Sequence, residues 1–193
     1  MRLWDSATEQ SRATLSQVTE TVLREIPLAA EYLVAVSTDI DSDVFVRAEE
    51  QLICMLEGGL SVPASRTEQQ LYGLRGVTRR LQKFGPKAIP IEWLSNVAGI
   101  SRSDNPQLAE HAISMLRQWV EAVNLPLEVA AQIAVVAASL RASASDQRVL
   151  VRANALRGLV AMQRIAPAIA TEIAIGKSRD DPRIAIRRAI ETS

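Results

Sequence analysis

Apolar residues recur along this chain at helical rather than strand spacing. Around "QLICML" the stripe is Val44, Ala48 and Met55, and after Asp146 it is Val149, Ala153, Leu156 and Val160. In "TEQQLYGLRGVTRRLQKFGPKAIP", Leu74, Val77, Leu81 and Phe84 form an apolar face. At about 100° per residue such positions lie on one side of an α-helix. Val149, Val151 and the apolar residues around them are interspersed with polar ones in a strand-like way, but the run continues directly into the helix-forming "LRGLVAM". No Asn-Gly or Asp-Gly turn joins two alternating runs, so no strand is predicted.

Punctuation agrees with that pattern. Pro27, Pro90, Pro106, Pro126, Pro167 and Pro182 each stand near the front of an apolar-periodic segment, where a missing N–H costs nothing because first-turn donors are unpaired anyway. Ser6-Ala-Thr-Glu9 and Thr67-Glu-Gln-Gln70 have capping-box form, and Gly58-Gly59 and Gly99 are placed as helix stops. The pattern predicts helices near 6–25, 28–37, 42–57, 67–84, 88–98, 106–123, 126–140, 147–164, 167–176 and 182–191. This is an all-α chain.

One helix opening recurs. Asp146-x-x-Val149-x-Val151-Arg152-Ala153 matches Asp41-x-x-Val44-x-Val46-Arg47-Ala48, then Asp181-x-x-Ile184-x-Ile186-Arg187, and more loosely Asn105-x-x-Leu108-Ala-Glu110-His111-Ala112. The four starts are 64, 41 and 35 residues apart, intervals of the size that stacked helix pairs produce. The leading Asp or Asn falls where a side-chain oxygen takes up free N–H groups and its charge suits the helix dipole. The arginine lies at the margin of the apolar stripe, where its stem can be buried and its guanidinium turned toward a carboxylate.

On these residues the chain resembles the HEAT-repeat family of α-solenoids over roughly residues 28–58 and 88–193, with armadillo-like repeats as the nearest alternative. The resemblance implies a HEAT-like α-α superhelix of about four stacked helix pairs, with the basic 67–84 helix inserted. It also implies that Asp41, Arg47, Asp146, Arg152, Asp181 and Arg187 form a ladder between repeats. The chain departs from the family pattern at Asn105, at His111, where Arg is replaced, and at the inserted helix. One helical-repeat domain covering 1–193 is expected.

Composition adds two points. Aromatic residues make up 4% of the chain while Ala, Leu, Arg, Glu and Gln are plentiful, which favours helix over sheet. The formal charge is zero, yet residues 1–60 carry four Arg against eleven Asp and Glu, a net charge of −7, and 61–193 carry +7. Solvated faces account for this asymmetry, as does steering of an oppositely charged partner.

Candidate chemistry is sparse. With one cysteine, Cys54, and one histidine, His111, no intrachain disulfide can form and no nucleophile–base arrangement has obvious parts. No metal or cofactor site is expected, and no Gly-rich phosphate loop, H-E-x-x-H or G-x-S-x-G motif is present. The longest apolar run, "VAAQIAVVAASL", falls short of the roughly 20 residues that span a bilayer, so no membrane association and a cytoplasmic location are expected. Cys54 is expected to be a small buried hydrophobe, and Trp119 a core residue. Trp4 is open between packing on the first helix pair and anchoring a partner.

The most informative segment is the basic helix. Arg75, Arg79 and Lys83 follow at i, i+4 and i+8, with Arg80 beside them and Lys87 beyond, and only Glu68 offsets them. Like charges at i, i+4 weaken a helix by a few tenths of a kcal/mol per pair, so this face is either simply solvated or met by an anionic counterpart. Nucleic-acid phosphate, an acidic protein surface and the chain's own acidic first 60 residues each qualify. The expected function is non-catalytic macromolecular binding, with a protein partner. The alternative is nucleic-acid binding through Arg75, Arg79, Arg80, Lys83 and Lys87. The C-terminal "DPRIAIRRAIETS", with Ile184, Ile186 and Ile190, is expected to dock another chain, a second copy included. A HEAT-like DNA glycosylase is a third reading, but its catalytic Asp and aromatic cleft have no counterpart placed in the sequence.

Overall fold

The computed structural model describes residues 21–22, 24–36, 43–167 and 181–191. The expected 167–176 helix beyond Pro167, nearly all of the 6–25 helix, and Trp4 and Asp41 lie outside the described residues. Eight α-helices lie among those described: α1 Ala30–Val36, α2 Asp43–Glu57, α3 Arg66–Phe84, α4 Ile91–Ile100, α5 Pro106–Ala122, α6 Ala130–Ser143, α7 Val149–Ile165 and α8 Ile184–Glu191. No strand occurs among them, so the all-α expectation stands as a finding.

Local chemistry explains the boundaries. Pro27, Pro86 and Pro126 each open a short 3₁₀ helix, Pro27–Ala29, Pro86–Ala88 and Pro126–Val129. The expected helices 28–37 and 126–140 take in residues of the first and third of these turns, which the structure sets apart. Pro106 is the first residue of α5, and Asn105 accepts hydrogen bonds from the Gln107 and Leu108 backbone amides, satisfying two of the donors that a helix start leaves free. α2 stops at Gly58, whose φ of 71° suits glycine at a helix end. The capping box of α3 is Ser65 with Glu68, not Thr67 with Gln70. Ser65 N and Oγ both donate to Glu68 Oε2 at 2.8 Å, and Glu68 N donates back to Ser65 Oγ. Gly99 stops nothing, because α4 runs on to Ile100.

Contacts divide the chain into two compact units, Met1–Arg80 and Leu81–Ser193, with the boundary inside α3. In the first unit α1 packs on α2, and Ala30, Val34, Phe45, Leu52, Met55, Leu56, Leu74 and Val77 are buried. The α3 residues Gly73 and Gly76 lie against Leu56 and Leu52. A Cβ on Gly76 would stand 2.6 Å from Leu52 Cδ1 and 3.2 Å from Glu31 Cα, so the missing side chain is what allows this approach.

In the second unit α4 packs on α5 and α6, α5 on α6 and α7, and α7 on α6 and α8. Helices α4 and α6 are thus neighbours, as are α5 and α7, the two pairs pack on each other, and α8 adds to α7. Trp93, Leu94, Ile113, Leu116, Trp119, Leu140, Leu156, Met162 and Ile186 fill the space between. Because α7 has neighbours on three sides, Val151, Ala155 and Leu159 are buried as well as Leu156, and Val149 and Val160 lie at the margin. The single stripe expected for this helix is in fact a broad face. A buried hydroxyl pair, Ser101 Oγ and Ser139 Oγ at 2.9 Å, links the end of α4 to α6.

Candidate interaction surfaces

The basic helix has much of its charge turned inward. In the first unit, Arg80 is 3% exposed. Its Nη1 donates to Val34 O at 2.9 Å and its guanidinium stands 4.6 Å from the centre of the Phe45 ring. Arg79 places Nη1 3.0 Å from Glu31 Oε1 and covers the Tyr32 ring at 4.1 Å. Arg75 is exposed, 5.5 Å from the Tyr72 ring centre.

The carboxylates that meet this helix come from the acidic part of the chain. Glu31 is 1% exposed, and neither of its oxygens has a hydrogen-bond partner among the described residues. Its contact with Arg79 is one of charge, without hydrogen-bond alignment. Burial raises the Glu31 pKa, against the opposing pull of Arg79 and Arg75. Burial likewise raises Glu49, opposed by Arg80, and lowers Arg80, opposed by Glu49. Desolvation outweighs attraction at each of these groups. In the second unit, Lys83 is exposed and lies 5.0 Å from the Phe84 ring centre, and Lys87 forms an ion pair with Glu128.

The recurring helix openings carry a feature that sequence reading passed over. Asp146 Oδ1 accepts from the Arg148 backbone amide at 2.8 Å, while the Arg148 guanidinium grips both carboxylate oxygens at 2.9 and 2.7 Å. Asp181 and Arg183 repeat this arrangement at 2.9, 2.9 and 3.0 Å. The remaining Nη1 of each arginine reaches back to backbone at the preceding opening, Arg148 to Ser103 O, just before Asn105, at 2.8 Å and Arg183 to Gln147 O, just after Asp146, at 3.5 Å. The signal was the shared Asp-x-Arg, residues 146–148 and 181–183. These clasps, led by the Arg side-chain hydrogen bonds, hold Asp146 and Asp181 below the ordinary carboxylate range and raise Arg148 and Arg183. Arg152 Nη2 pairs with Asp181 Oδ2 at 2.9 Å, and Arg187 Nη1 donates to Asp181 O at 2.7 Å. Arg47 is exposed on α2.

The other singled-out residues are quieter. His111 is exposed, with Nδ1 2.8 Å from Gln107 O one turn earlier on its own helix. Cys54 is a free, half-buried thiol. Trp119 is fully buried and its indole N–H donates to Pro86 O at 3.2 Å. No group of three or more His, Cys, Asp or Glu able to hold a metal occurs among the described residues. No helix among them is long and apolar enough to cross a membrane.

Two apolar features reach the surface of the second unit. Leu150 and Ile184, at the fronts of α7 and α8, are 55% and 58% exposed. A cleft of about 210 Å³ lies among Phe84, Pro86, Lys87, Leu125, Glu128 and Val129, and Leu127 beside it is 93% exposed. Compared with protein-family models, curated proteins and solved structures, the chain finds no match in any of the three.

Proposed function

We propose that the chain is a non-catalytic, HEAT-like helical-repeat module that binds another protein along the front edge of its second unit. The supporting observation is the pair of helix fronts in which Leu150 and Ile184 are exposed while Asp-x-Arg clasps tie each front to the one before. Repeat arrays of this kind use the extended surface made by successive equivalent elements. The clasps hold apolar side chains on a rigid edge, so little conformational entropy is lost when a partner covers them. The partner is a protein surface with apolar anchors for Leu150 and Ile184. The cytoplasm is the proposed location, which a chain with one cysteine suits.

The test is capture from native lysate at low and moderate salt, with and without nuclease, using the wild type and a Leu150→Asp, Ile184→Asp variant. The expected result is a partner retained by the wild type after nuclease treatment and lost by the variant. Capture that vanishes with nuclease, or that the variant leaves unchanged, overturns the reading. Both substituted side chains are exposed, so an unaltered circular-dichroism melt shows that the variant is still folded.

A further inference from the structure

The segment Leu125-Pro126-Leu127-Glu128-Val129 builds a hole and a knob on the same patch of the second unit. Leu125, Glu128 and Val129 line the cleft together with Phe84, Pro86 and Lys87. Leu127 takes no part in the lining and is 93% exposed, the most exposed large apolar side chain among the described residues. The 3₁₀ turn Pro126–Val129 explains the difference: Val129 turns inward and is buried, and Leu127 is directed out. At about 210 Å³ the cleft exceeds the roughly 150 Å³ of an engineered apolar cavity that accepts a benzene-sized guest, so it has room for a leucine side chain.

The charges on the patch carry the argument to a particular occupant. Lys87 and Glu128 both line the cleft and pair with each other, with side chains 58% and 42% exposed. A patch holding one cation and one anion is neutral and complementary to itself under a twofold rotation, which brings the lysine of one copy to the glutamate of the other. Twofold interfaces require this: the same surface on both subunits, each residue meeting its counterpart reciprocally. An acidic or basic partner would find half of the patch already neutralised.

We propose that this patch is a self-association surface on which two copies of the chain meet about a twofold axis. Leu127 of each copy enters the cleft of the other, and Lys87 and Glu128 exchange partners across the interface. This surface is separate from the Leu150 and Ile184 edge, and its failure or success leaves that reading untouched.

Sedimentation velocity over a concentration series tests the proposal on the full chain. The wild type is expected to move from monomer to dimer, and Leu127→Asp to remain monomeric with an unchanged thermal melt. Lys87→Glu leaves two carboxylates on the patch and Glu128→Lys two ammonium groups, so each alone is expected to lose at least tenfold in association constant. An equimolar mixture of those two variants is expected to recover dimers, as a purely intramolecular Lys87–Glu128 pair would not. A wild type that stays monomeric at every concentration, a Leu127→Asp variant that still dimerises, or a mixture that stays monomeric each overturns it.

Discussion

Arg152 on α7 and Asp181 ahead of α8 meet at 2.9 Å, and the same carboxylate is gripped by Arg183 and caps its backbone amide. One side chain thus joins two helices and starts the second. Helix α8 has eight residues and buries only Ile186 and Ala189 fully, so its attachment depends heavily on this junction; short helices have little stability of their own. Replacing Arg152 by Met keeps the stem and removes the charge. The expected outcome is severalfold faster amide hydrogen exchange in α8, with α4 and α5 unchanged. Equal protection of α8 in both proteins would show that the ion pair contributes nothing.

Glycine positions divide by what surrounds them. Alanine at Gly76 would place its Cβ 2.6 Å from Leu52 Cδ1 and 3.2 Å from the Glu31 backbone; Leu52 can shift, but a backbone atom cannot without moving α1. Overpacking of this kind costs about 1–3 kcal/mol, more than the gain in helix propensity of up to about 1 kcal/mol. Gly99 lies in α4 with nothing within 4 Å of its would-be Cβ. Gly99→Ala should therefore raise stability by about 0.5 kcal/mol. Urea unfolding of both variants gives the order, and a Gly76→Ala protein as stable as Gly99→Ala would contradict the close approach described at α3.

Hydrophobic periodicity made the helices legible, because burying one face is what places them. It was blind where a proline changed the hydrogen-bonding pattern without changing the period, as at Pro27–Ala29 and Pro126–Val129. The repeated Asp at 146 and 181 was legible as a helix opening, but Arg148 and Arg183, the partners that give it geometry, lie off the apolar pattern and were missed. The basic helix shows a different limit. Its run of positive charge could be read from sequence, whereas the direction each arginine takes depends on groups far away along the chain, Val34 O for Arg80 and Glu31 for Arg79. Leu127 carried no signal, since a leucine beside proline in a short turn looks the same whether it faces in or out.

Acid should affect the two units in opposite senses. Glu31 and Glu49 have pKa values raised above 4.5 by burial, so the folded state binds more protons than the unfolded chain as the pH falls. Folding of the first unit then gains stability through those raised values, and the gain is complete once the pH is below 4.5. Asp146 and Asp181 are lowered from 3.8. Their contribution is intact above 3.8 and is lost only as the pH falls through the depressed values. As the pH falls from neutral to 4.5, hydrogen exchange corrected for intrinsic rates should slow in α2 and the first part of α3, with α8 unchanged. Glu31→Gln should weaken that response and add about 1 kcal/mol at neutral pH, because a buried amide is less costly to desolvate than a carboxylate without hydrogen bonds. A variant with the full wild-type pH response would assign the effect elsewhere.

Arg75 and Arg80 lie five residues apart on the same basic helix, yet they should respond to truncation in different ways. Arg80 is buried, donates to Val34 O and lies over Phe45, so Arg80→Ala strands a carbonyl, opens a cavity and removes the charge facing Glu49. Changes that break a buried charge arrangement cost about 3–5 kcal/mol; with Glu49 only half-buried, about 3 kcal/mol is expected. Arg75 is exposed, and Arg75→Ala should fall within about 0.5 kcal/mol of the wild type. Chemical denaturation measures both. The contrast also governs any test of nucleic-acid binding, since lost binding in an Arg80 variant would report lost structure. Exposed Arg75, Lys83 and Lys87 are the positions to exchange for glutamate, and phosphate binding through them must weaken steeply as salt rises. Binding to single- or double-stranded DNA or RNA that survives the triple exchange would assign affinity to a different surface, whereas no binding even at low salt would remove the nucleic-acid alternative.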